Sequence, residues 1–257
     1  MVRNLPPPAG KESTAIAESR RRFELAFGIS FWFTATLWWI ELVQKIGGWN
    51  LSGLGIEPHV LFGLIGVVTA PLLHGSWEHL LSNTLPLVIL GTALLYGYQR
   101  ASRYVVPLVW LGSGLGVWFT GQPAFYVGAS GVVMGFIAFL LVAGALRRDR
   151  TSIAITCVVA FLYGTALVEI VPQGEPHIAY VAHAWGGAIG LLCAIVLFRL
   201  DPIPPRKRFH WQDEPEDFDD PVIGDLWREP PPAKVAPPPP PPRLPAPTDR
   251  DDPPRLH

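Results

Sequence analysis

Tyr126-Val127-Gly128-Ala129-Ser130-Gly131-Val132-Val133 sets one serine between glycines, then leads into an apolar stretch that carries no charge before Arg147. The stretch reads as a helix that starts near Ser130 and ends at Ala145, with the serine at its mouth. Its character is shared by the chain as a whole. Of 257 residues, 49% are hydrophobic and 16% charged, and the mean hydropathy is +0.29 despite a very polar C-terminal segment. This composition excludes an ordinary water-soluble domain and fits an all-α polytopic membrane protein.

Working outward, apolar stretches of spanning length predict six helices, since a bilayer core of ~30 Å needs about 20 residues at ~1.5 Å each. They cover Glu24 to Ile46, Ser76 to Tyr98, Tyr104 to Thr120, Ser130 to Ala145, Ser152 to Val171 and Tyr180 to Leu200. The first follows Arg20-Arg21-Arg22 and reads as a retained helix, not a cleaved signal. Val60 to Leu73 is apolar too, but Gly63, Gly66 and Pro71 interrupt it and it is too short to span, so it is expected to lie at the interface.

Cations fix the orientation. Lys11 and Arg20 to Arg22 precede helix 1, Arg100 and Arg103 separate helices 2 and 3, and Arg147, Arg148 and Arg150 separate helices 4 and 5. Arg199, Arg206, Lys207 and Arg208 follow helix 6. With Lys and Arg marking the cytoplasmic side, six helices put both termini in the cytoplasm of a multi-pass cell-membrane protein. Residues 1–22 read as a polar cytoplasmic segment and 23–200 as the membrane domain. Residues 201–257 hold most of the 28 prolines, including Pro237 to Pro242, and an acidic patch from Asp213 to Asp220. That composition predicts a disordered cytoplasmic tail, with an SH3-like cytoplasmic partner for the proline run as an alternative to a plain solvated one.

Helices 2, 4 and 6 all run inward from the outer face, so their first turns lie at one depth, and each carries polar residues. Helix 2 opens with His74, His79 and Asn83, helix 4 with Ser130, and helix 6 with His183. A histidine inside a span is costly and points to function. His183 is suited to take the proton from the Ser130 hydroxyl and return it to a leaving amine. His79 and Asn83, spaced i, i+4, share a helix face and could donate toward an oxyanion together with the Ser130 amide. His74 is expected to hold the adjoining loop by hydrogen bonds. Gly131 and Gly135 on helix 4 and Gly186 and Gly190 on helix 6 are small-residue faces that let two helices press together. Packing glycines, a capping histidine or an interface histidine would leave the same residues without chemistry. Cys157 and Cys193 lie in apolar stretches and imply no disulfide. Neither a metal site, nor a cofactor, nor a nucleic-acid partner is indicated.

Three motifs in this order, His74-xxxx-His79-Leu80-xx-Asn83, Gly128-Ala129-Ser130-Gly131 and Ala182-His183-xx-Gly186-xxx-Gly190, resemble the rhomboid family of intramembrane serine proteases over about residues 24 to 200. The resemblance implies a six-transmembrane-helix rhomboid-like bundle and a Ser130/His183 dyad with no acidic third member. It further implies an oxyanion hole of His79, Asn83 and the Ser130 amide, and cleavage of peptide bonds in or near transmembrane segments of other proteins in the lipid bilayer. Three departures stand out. Met134 occupies the position, four after the serine, where family members often carry an aromatic that packs on the histidine. Trp49 has no adjacent arginine, and Leu85 to Tyr98 lacks the usual glutamate. The competing functions are a catalytically idle relative that binds membrane proteins and a transporter or proton path.

Overall fold

The computed structural model describes residues 9–166 and 179–202. They form an all-α polytopic membrane protein with six long helices. These are α1 (Ala9–Gly47), α2 (Trp77–Gly97), α3 (Ser102–Thr120), α4 (Ser130–Arg147), α5 (Arg150–Tyr163) and α6 (Ala179–Leu197). By length and apolarity α1 (over Ile16–Gly47), α2, α4 and α6 (over Tyr180–Leu197) are able to cross a membrane. The expected end of helix 5, up to Val171, and the tail beyond Pro202 lie outside the described residues.

α1 begins well before Glu24, the start that apolarity alone indicates. Its first turns are polar, yet every backbone hydrogen bond is local, and the pairs Arg20–Glu24 (2.8 Å) and Arg22–Glu18 (3.3 Å) are spaced i, i+4. Such exposed pairs add a few tenths of a kcal/mol each to a helix that already exists. The 39 residues reach about 58 Å, roughly twice the bilayer core.

Between α1 and α2 the chain forms four short helical turns, Leu51–Leu54, Leu61–Leu64, Gly66–Thr69 and Ala70–Leu72, none of spanning length. α3 holds this loop by its indoles. Trp118 Nε1 donates to Val60 O (2.8 Å), Trp110 Nε1 to Val68 O (3.2 Å), and His59 Nε2 to Phe119 O (2.9 Å). In the sequence Gly63 and Gly66 read only as interruptions of an apolar stretch, and the structure gives them a packing role. A Cβ on Gly63 would strike the backbone of Glu57, and one on Gly66 the backbone of Gly55 and Ile56. These glycines let two stretches of backbone touch, which tightens the loop.

α4 is the centre of the bundle. Every residue from Gly131 to Leu140 is buried, and Ile137, Phe139 and Leu140 share one hydrophobic cluster with Leu90 and Leu94 of α2 and Val105 of α3. In lipid the hydrophobic effect does not drive this, because a tail is as apolar as leucine, so the close fit of small residues matters most. Gly131 lies against the carbonyl of Ala182 (3.0 Å to a Cβ built there). Gly186 lies against the carbonyl of Gly131, and Gly190 against that of Gly135. The two helices therefore interlock backbone to backbone.

Candidate active site

The interlock decides what stands beside what. Gly131 follows Ser130 directly and Ala182 precedes His183 directly, so their contact brings the first turn of α4 to the first turn of α6. Ser130 is the first residue of α4, half-buried, and its amide is one of the first-turn N–H groups that have no partner inside a helix. His183, the residue after Ala182, is buried, 8% exposed. Trp185 holds α6 in register by donating from Nε1 to the Thr120 hydroxyl (2.8 Å). Its indole lies over Gly116, where any Cβ would collide with the ring.

Two loops meet in front of Ser130. Ile56 and Tyr126 exchange both backbone hydrogen bonds (2.9 Å each), and the Gly128 amide donates to Ala70 O (2.9 Å). Gly128 has φ +113°, a conformation that favours glycine, and the His79 ring rests directly on it, in the space a Cβ would need. Ser76 caps α2 by accepting from the His79 amide (3.2 Å), which fixes the turn that carries that ring.

A cavity of about 220 Å³ opens among these elements, lined by Ser130, His79, Gly128, Tyr126, Ser113 and Ala182 among others. Of the residues singled out in the sequence, Ser130, His79, Gly128 and Gly131 reach this cavity, and His183 is outside its lining but within electrostatic range of His79. Asn83 is 3% exposed and outside the lining, and its Nδ2 donates to the carbonyl of His79 (2.8 Å), leaving one amide hydrogen for other use. Met134 is buried in the core one turn below Ser130 and does not line the cavity.

His74 departs from its expected role. It is 2% exposed, and among the described residues neither ring nitrogen has a hydrogen-bond partner. The nearby carbonyl of Ala70 already accepts from Gly128 and Leu73, so the loop is held by backbone groups. The His74 ring instead packs edge-on against His79, with centroids 5.1 Å apart and planes at 66°. Burial, helped by the neighbouring His79, lowers the His74 pKa to about 4, so the ring is neutral near pH 7.

The sequence reading missed the roles of Tyr126 and of the α3 wall. Tyr126 orders the loop before Ser130 through its backbone and through its hydroxyl, which accepts from the Gln122 amide (2.9 Å). Ser113, Gly114 and Val117 of α3 form a cavity wall, and the small residues Gly112, Ser113, Gly114 and Gly116 were the available signal. Among the described residues no three His, Cys, Asp or Glu side chains converge.

The model of the Rhomboid domain matches residues 62–200. Proteins of Mycobacterium bovis and Mycobacterium tuberculosis, both described only as uncharacterized, are 34% identical over 200 residues, covering 74% of this chain and 83% of theirs. An uncharacterized protein of Mycobacterium leprae is 32% identical over 173 residues, 64% of this chain and 68% of its own. With the domain match covering all the motif-bearing helices, the chain belongs to the rhomboid family, whose members are generally intramembrane serine proteases.

Proposed function

We propose that the chain is an intramembrane serine endopeptidase that cuts transmembrane proteins through a Ser130/His183 dyad. The observation that supports this most is the glycine interlock of α4 with α6, which adjoins the first turns bearing Ser130 and His183 beside a cavity that His79 enters. His183 accepts the Ser130 hydroxyl proton as the oxygen bonds to the scissile carbonyl carbon. The charge that develops on the carbonyl oxygen is met by the Ser130 amide and His79, with Asn83 contributing its remaining hydrogen. The C–N bond then breaks, His183 returns the proton to the leaving amine, and water hydrolyses the ester by the same route.

The substrate reading follows from depth and shielding. A peptide bond inside an intact helix cannot present its carbonyl, so a substrate segment with glycine or another helix breaker near its outer end is the expected target. Stiffening that segment should lower turnover, and a rise on stiffening would contradict the mechanism. The membrane orientation in this proposal keeps both termini in the cytoplasm.

The deciding experiment is labelling of detergent-purified protein by a fluorophosphonate, alongside cleavage of a model transmembrane substrate. Label and cleavage should both vanish in Ser130→Ala and His183→Ala. Wild-type protein that takes no label and cuts nothing would return the chain to the catalytically idle class.

A further inference from the structure

A second concavity, of about 510 Å³, lies between α3 and α6, away from Ser130. On α3 it is walled by positions 104, 107, 108, 111, 112 and 115, one helical stripe, and on α6 chiefly by Ile189, Leu192 and Val196. Its wall is almost wholly apolar, and Leu108, Leu192 and Val196 are each at least half exposed, so the protein itself does not cover it. From Tyr104 to Leu115 the groove is about 16 Å long, half of a bilayer core and the depth of one leaflet. A transmembrane helix would need twice that length.

One end is charged. Continuing each stripe past Tyr104 and Val196 toward the same side of the bundle leads to Arg103 on α3 and to Arg199 just after α6, with Arg100 one turn before Tyr104. Among the described residues none of these three makes an ion pair. Arg199 sits over the Phe198 ring, 5.1 Å from its centroid. The nearest carboxylate in sequence, Asp201, is buried and accepts from the amides of Arg100 (2.8 Å) and Ala101 (3.0 Å), which offsets its charge.

We infer that this groove is a binding site for an anionic phospholipid, with one acyl chain between α3 and α6 and the phosphate at Arg100, Arg103 and Arg199. The length selects a single-leaflet chain and the arginines select the headgroup charge. The site is independent of the protease reading, because it shares no residue with the Ser130 cavity.

The test uses full-length protein in nanodiscs with either phosphatidylglycerol or phosphatidylcholine carrying a photoreactive diazirine in one acyl chain. The phosphatidylglycerol probe should label α3 and α6 peptides most strongly. Arg103→Gln/Arg199→Gln should cut that labelling about tenfold while leaving the phosphatidylcholine signal and the thermal midpoint unchanged. Leu108→Trp, which fills the groove without touching the arginines, should lower labelling by both probes on these peptides. Equal labelling by the two headgroups, or labelling of α3 and α6 no stronger than on the exposed face of α1, overturns the inference.

Discussion

At the residue scale the most informative positions are those where no side chain fits. Gly186 has its missing Cβ directed at the Gly131 carbonyl, so Gly186→Leu must push α6 off α4. We expect it to destabilise the protein by about 1–3 kcal/mol. Cleavage should fall further, on the order of a hundredfold, because a ~1 Å displacement of the serine from its base is enough. Gly28→Ala, in α1 with nothing near its missing Cβ, is the control and should leave cleavage unchanged. His74 supplies a pH signature. Its native pKa is about 4 and its unfolded value about 6.5, so the unfolded state binds the extra proton first. Stability is therefore full above pH 6.5 and declines as pH falls toward 4, by up to roughly 3 kcal/mol. Unfolding in detergent followed from pH 7 to pH 4 should show this slope, and His74→Leu should flatten it.

At the element scale, the turn that joins α4 to α5 is held by charge. Arg147 Nε contacts Asp149 Oδ2 at 3.0 Å, and both side chains are nearly inaccessible. Asp149 also caps α5, accepting from the Ser152 amide (3.1 Å) and hydroxyl (2.6 Å), while Arg147 lies 5.0 Å over the Tyr98 ring at the end of α2. Burial alone would raise the Asp149 pKa, but the Ser152 hydrogen bonds and Arg147 outweigh it and hold the carboxyl below its usual range. Asp149→Ala would leave a buried guanidinium without its counter-charge and α5 without its cap. We expect a loss of about 3–5 kcal/mol in a thermal or denaturant unfolding assay. Removing both charges, in Arg147→Met/Asp149→Ala, should recover part of it.

At the scale of the whole molecule, the proposed orientation is open to direct measurement. In a chain without its two native cysteines, Gly53→Cys in the α1–α2 loop should react in intact cells with a thiol reagent that cannot cross the membrane. Arg148→Cys, between α4 and α5, should react only after permeabilisation. The reverse pattern would invert the topology. The helices themselves were legible in the sequence because each satisfies its backbone hydrogen bonds locally, so composition and length suffice. Gly128-Ala129-Ser130-Gly131 and Ala182-His183 were legible for a related reason, since polar residues are rare in apolar helices and declare themselves. What composition could not decide was the sense of each interaction. Gly63 and Gly66 read as mere interruptions of an apolar stretch until their neighbours were known, His74 read as a hydrogen-bonding anchor, and nothing marked α4 as the central helix. These depend on groups brought together from distant parts of the chain, such as Trp118 on Val60, Gly128 on Ala70 and Gly186 on Gly131. The sequence alone determined that the chain is helical and where most of its helices lie, because helices follow from local hydrogen bonding and side-chain type. Only the tertiary structure decided which of them touch, because contact between helices depends on where one backbone has room for another.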